Sequence, residues 1–222
     1  MNKPLVIIEG DHFLRSKIDP KRYTLLDAES EDLMTDDLVD LPARTVVFDL
    51  TIGSADEKRQ LLECLEDEKA LVYSDLSTVW GEGFFENFRC LQGAFALGYQ
   101  SPKNCYEFYS PKNASVIQEF LESAELKGLS VSTAGMGFHF PRMLAQIINE
   151  AYFALEDQLA SAEDLDLALV HGVNYPKGPI DWSKGMGLRT TIYLLDELYS
   201  VTGDPRYRTS TKLRLEFLKS NR

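Results

Sequence analysis

Cysteine and histidine are scarce, with three of each in 222 residues, and neither forms a pattern. Cys64, Cys90 and Cys105 are odd in number, far apart and in no CxxC arrangement. Neither a disulfide framework nor a metal site is therefore expected. No apolar run approaches the roughly 20 residues that cross a bilayer. Met1-Asn2-Lys3-Pro4 leads directly into an apolar segment without the layout of a secretory signal, so a cytoplasmic protein with no membrane partner is expected. Basic residues are short in one part only: residues 1–129 hold 13 Lys and Arg against 24 Asp and Glu, whereas residues 130–222 hold 10 against 11. A field of that sign repels nucleic acid, which excludes it as an expected partner and leaves a solvated acidic surface as the plain reading.

Glycine is missing at one informative place. Leu5-Val6-Ile7-Ile8 reads as a buried strand, and the turn after it, "EGDHFLR", has the single glycine Gly10. A dinucleotide-binding turn needs several, because the backbone must approach a pyrophosphate closely and feed a helix. Here Glu9 and Asp11 add negative charge and Phe13 adds bulk where the ligand would sit. Like charges a few ångströms apart repel, so ordinary nucleotide binding, and with it any cofactor, is not expected at this turn.

What is present is an alternation of strands and helices followed by helices alone. Tyr23 to Asp27 reads as a short second strand before the acidic stretch from Glu29 to Asp40, and "RTVVFDLTI" (44–52) as a third. Ser54 caps a helix carrying Leu61, Leu62 and Leu65, and the apolar runs "KALVYSDLS" and "LQGAFALGY" follow. Asn113 caps a further helix with Gly128 as its stop. From Pro141 the periodicity is helical only: Leu144, Ile147, Ile148, Ala151, Tyr152 and Leu155 form one stripe. A capped helix then runs from Ser161 to Gly172, and two more occupy roughly 187–201 and 210–219. The fold class is α/β plus all-α, with a parallel-sheet domain over 1–132 and a helical one over 133–222.

The helical half carries "GF" before a long helix, "NEAYFALEDQLASAEDLDLAL", "YPKGPIDW", "GL" opening the next helix and "GDPRY", in order across residues 137–214. Together these resemble the carboxy-terminal domain of the 3-hydroxyacyl-CoA dehydrogenases, a helical domain of the kind found at the carboxy terminus of 6-phosphogluconate dehydrogenase. Upstream the likeness is fainter. "VVFDLTIGSADEKRQLLECL" and "LVYSDLST" look like the family's strand-helix and strand before the catalytic strand, and residues 93–108 take the place of its catalytic segment. The stretch between residues 9 and 44 is too short for the family's glycine-rich turn, full helix and second strand with an acidic ribose-binding end. The resemblance thus implies a shortened Rossmann-like domain.

The family's chemistry, as the resemblance implies it, needs NAD, a His base oriented by a Glu twelve residues later, and a Ser and an Asn. The His position falls on Phe95, which accepts no proton, and the Asn position on Pro141, which has no amide. Glu107 and Ser77 match the Glu and the Ser. A Glu without its His reads as a solvated or ion-paired carboxylate, or as a base if burial raises its pKa. His139 reads as lining the hinge between the domains, with a relocated base as the remote alternative; His171 reads as a helix-end residue and His12 as part of the opening loop. A family protein without ordinary NAD-dependent activity is expected, retaining acyl-CoA binding and forming a homodimer through a stripe of Ile192, Leu195, Leu198 and Tyr199. The alternative is an active, divergent oxidoreductase on 3-hydroxyacyl-CoA in fatty-acid metabolism. A third reading, supported by charge alone, is an accessory module whose acidic face binds a basic partner.

Overall fold

In the computed structural model, which describes residues 3–10, 12–28 and 38–220, seven strands form one sheet. They are β1 (Leu5–Ile8), β2 (Thr24–Asp27), β3 (Val46–Asp49), β4 (Leu71–Asp75), β5 (Leu91–Phe95), β6 (Cys105–Tyr109) and β7 (Lys127–Ser130), in the order β2-β1-β3-β4-β5-β6-β7. All neighbouring pairs are parallel except β5 with β6. Because β1 lies between β2 and β3, successive connections leave it in opposite directions, which makes a crevice at the carboxyl ends of β1 and β3. Parallel strands covered on both faces are apolar along their whole length, as β1 is, with every residue buried.

Helices α1 (Ala55–Asp67), α2 (Gly81–Asn87) and α3 (Ala114–Ser123) are interleaved with the strands. α1 begins as its sequence requires: the Ser54 hydroxyl and the Glu57 carboxylate form a reciprocal capping box. α3 lays Phe120 on the Phe48 ring at 4.1 Å between centroids, and Phe95 stacks on Phe120 at 6.1 Å. Asn113 does sit at the N-cap of α3, but its side chain accepts from Ser115 and caps no backbone group. Gly128 is not a helix stop. α3 ends at Ser123 and Gly128 lies inside β7, where a Cβ would meet the Phe108 ring at 2.7 Å.

Beyond residue 138 only helices follow: α4 (His139–Glu156), α5 (Ala162–Gly172), α6 (Pro179–Met186), α7 (Leu188–Thr202) and α8 (Thr211–Ser220). Ser161 caps α5 as expected. The expected pairing stripe is corrected: Ile192, Leu195 and Leu198 are buried in the core of this chain, and only Tyr199 of that set is exposed. Much of the expected acidic stretch, together with Asp11, lies outside the described residues. No helix among the described residues is long and apolar enough to cross a membrane.

The helices meet the sheet at a few backbone contacts. Gln100 N–H donates to the Gly185 carbonyl and Trp80 N–H to the Glu197 carboxylate. Gly137, at φ 65°, donates to the Val79 carbonyl and turns the chain into α4. A Cβ at Gly137 would fall 2.7 Å from the Ser77 carbonyl oxygen and into the Leu194 side chain. Left-handed backbone and a steric block act together here, so Gly137→Ala is expected to lower unfolding stability by about 2–4 kcal/mol, measured from the denaturant midpoint.

Candidate functional site

A cleft of about 1170 Å³ opens where the carboxyl ends of the strands face the helices. Glu9 after β1, Thr51 to Gly53 after β3 and Leu97 to Gln100 after β5 form its sheet side; Tyr152, Met186, Arg189 and Phe217 form part of its helical side. This is the crevice that the strand order creates, and such crevices are where open α/β sheets hold ligands.

Its floor is a buried polar chain. Lys58 is 1% exposed, and its Nζ lies 2.6 Å from Asp49 Oδ2 and 3.1 Å from Thr51 Oγ1. Ser74 Oγ donates to the same Asp49 oxygen at 2.5 Å. Beside them Asp75 accepts from Ser77 N–H (2.8 Å), Ser77 Oγ (2.5 Å) and Leu97 N–H (2.6 Å). Burial pushes the Asp75 carboxyl up to about 6, against the opposing pull of Lys58 and of the Ser77 and Leu97 hydrogen bonds. Ser77 is thus placed near the cleft floor, but it is fully buried, committed to Asp75, and does not line the cleft.

Phe95 is fully buried on Phe120 and Pro141 is buried as the third residue of α4. Neither lines the cleft. Glu107 and His139 are brought together: Glu107 Oε1 lies 3.0 Å from His139 Nδ1, while Oε2 accepts the N–H of His139 at 3.0 Å and of Phe140 at 2.8 Å. Of the two structural readings of Glu107, solvated or paired, the second fits, since it is 7% exposed and meets His139. It supplies the cap that α4 lacks locally, because Phe138 offers no side-chain acceptor. The His139 ring is more than half exposed, and the pair adjoins the cleft beside Phe140, which stacks on the cleft residue Tyr99 at 5.1 Å. Burial first, and the Glu107 charge second, push the Tyr99 phenol up. His171 lies in the last turn of α5, and His12 lines the cleft mouth stacked on Phe13.

At the first turn the chain leaves β1 into successive turns, with no helix among the described residues. Glu9 fills the space between β1 and the helices: its Oε1 accepts Ile52 N–H at 2.8 Å and its Oε2 pairs with Arg189 on α7. β2, the short second strand expected over residues 23–27, ends in Asp27, in register with Ile8. Asp27 is paired with Arg15 at 2.7 Å.

Sequence reasoning passed over Lys58, Asp75 and Arg189. Lys58 had a signal: with Leu61, Leu62 and Leu65 it completes an inward helical stripe. Arg189 had none, because its partner is 180 residues away.

Residues 137–221 match the family model described as 3-hydroxyacyl-CoA dehydrogenase, C-terminal domain. A 73-residue stretch is 44% identical to 3-hydroxyadipyl-CoA dehydrogenase of Escherichia coli (strain K12), covering 33% of this chain and 15% of that protein. A 78-residue stretch is 35% identical to a probable 3-hydroxybutyryl-CoA dehydrogenase of Bacillus subtilis (strain 168), covering 35% and 27%. The chain therefore spans well under two thirds of these relatives. The crystal structure of (S)-3-hydroxybutyryl-CoA dehydrogenase from Ralstonia eutropha shares the fold, with TM-score 0.62 at 20% identity over 90% of this chain and 71% of that one.

These matches correct the expectation of no cofactor. The matched domain and the relatives are dehydrogenases, whose reaction passes a hydride to a redox cofactor, and NAD is the one the family implies. The acidic end of β2 suits a ribose. The first turn does not fit a diphosphate as it stands, because the Glu9 carboxylate already holds the donors there.

Two measurements test this geometry. The Asp75 carboxyl should titrate near 6 by carbon-13 NMR; since that lies above its ordinary 3.8, its contribution to stability is present at low pH and lost between about pH 4 and 6, on the order of 3 kcal/mol. Glu107→Gln, which removes the charge that receives three N–H groups, should cost about 1.5–3 kcal/mol in the denaturant midpoint.

Proposed function

We propose that this chain, whose residues 137–221 match the 3-hydroxyacyl-CoA dehydrogenase C-terminal domain, is a degenerate member of that family that binds an acyl-CoA in its cleft without the family's ordinary base. The observation that carries the reading is Phe95. It stands at the base position, accepts no proton and is packed away from the cleft on Phe120. Pro141, at the Asn position, is likewise a core residue with no polar side chain. The cleft itself is large and partly apolar, bounded by Tyr152, Met186 and Phe217, as an acyl thioester requires. Division of labour between a sheet domain over 1–132 and a helical domain over 133–222 is part of the proposal. So is pairing of two copies through the helical domain, for which α5, with no buried residue, offers Leu167, and its C-cap Val173, in place of the core residues of α7.

A second reading is favoured by one distance. His139 Nδ1 at 3.0 Å from the Glu107 carboxylate is the arrangement that orients an imidazole as a general base, with Nε2 left to take a proton. In that reading Glu107 is a positioning residue and the chain is an active oxidoreductase on a 3-hydroxyacyl-CoA.

Titration calorimetry with 3-hydroxybutyryl-CoA and a coupled assay of NADH formation separate the two. The first reading expects binding together with turnover about 10²–10⁴-fold below that of a relative with its His base, the range a general base supplies. Turnover at the relative's level, lost in His139→Gln, would establish the second reading, and absence of binding would sink both.

A further inference from the structure

We propose that Glu9 and Arg189 form a carboxylate lock at the switch point of the sheet, in which the Glu9 carboxylate stands where a ligand's diphosphate would bind and must be displaced before one enters. The place is set by topology. Glu9 follows β1, Ile52 follows β3, and the crevice between these two strand ends is where a doubly wound sheet receives an anionic ligand. The donors are set by chemistry. A backbone N–H from Ile52 and the guanidinium of Arg189 both point at one anion, and this combination serves a phosphate as well as a carboxylate. Glu9 is the more enclosed partner, with its side chain 15% exposed against 41% for Arg189. Arg189 therefore has a solvent-facing side from which a competing anion can approach.

The surroundings are consistent with exchange. Arg189 is the second residue of α7, so the positive end of that helix adds to its field. Lys184 also lines the cleft. Glu57 is the opposing charge nearby, but its carboxylate is held by Ser54 at the start of α1. The pair also joins the sheet to the helices, so release of Arg189 to a diphosphate removes a strap between them: binding at this point and the seating of α7 on the sheet are coupled.

The inference rests on the reading of the cleft as a coenzyme site. The full-length chain is titrated with inorganic pyrophosphate in wild-type, Glu9→Gln, Arg189→Met and double-variant forms, each checked by circular dichroism and thermal melting. Glu9→Gln keeps an acceptor for Ile52 N–H while removing the charge. It should bind pyrophosphate on the order of tenfold more tightly than wild type, a gain the double variant loses and Arg189→Met never shows. A folded Glu9→Gln with wild-type affinity, or a gain that survives in the double variant, overturns the lock. Parallel titrations with ADP-ribose and with coenzyme A show which diphosphate the released site takes, and a gain with either supports it. Because pyrophosphate carries no acyl chain, the lock can stand while acyl-CoA binding fails, and the reverse.

Discussion

One carboxylate, that of Glu107, decides how the two halves of this structure sit together. It projects from β6, whose pairing with β5 is antiparallel, into the open N-terminus of α4. The backbone there enters the helix from two successive left-handed residues, Gly137 and Phe138, and neither can supply a cap. Four N–H groups at a helix start need acceptors, and a buried one without a partner is costly. Glu107 takes two of them and orients the His139 ring as well. The direction of α4 then sets where Tyr99, Tyr152 and the helices packed on α4 border the cleft.

The cleft floor follows a different logic. The Asp49–Lys58 pair is almost wholly removed from water, and desolvating two ions offsets much of their attraction, so it adds little net stability compared with apolar residues of the same size. What it does is constrain. With Ser74 and Thr51 it ties the ends of β3 and β4 to α1, and it keeps a positive charge close to the carboxyl of Asp75. Of these groups Lys58 and Thr51 also line the cleft, while Asp49, Ser74 and Asp75 lie beneath it.

Local signals were legible in proportion to how local their causes are. Ser54 with Glu57, and Ser161 with Asp164, announce helix starts because the capping partners lie three residues apart. The all-buried β1 and the stripe of α4 read directly from hydrophobic period. α2 and α6 did not, since both are short and carry glycine, and their turns are stabilised by packing on the rest of the chain. β6 and β7 escaped because their pairing is non-local and β7, exposed throughout, has no apolar signature. Of the site, Phe95 and Pro141 became informative only beside the family resemblance, which implies a His and an Asn at those positions. The meeting of Glu107 with His139, and of Glu9 with Arg189, depends on chain crossings that no window of sequence contains.

The span between Glu9 and Arg189 has a consequence for how the protein is made. Glu9 precedes its cation by 180 positions in the chain, so it leaves a ribosome well before Arg189 is made. Until then the strand order can assemble around β1, since its neighbours β2 and β3 follow it closely in the chain, while the carboxylate stays hydrated. Loop closure across such a separation comes late, after nearer contacts have paid for it. Seating of α7 against Glu9 therefore follows the pairing of β1 with its neighbours, and the crevice at the strand ends forms before that part of its wall.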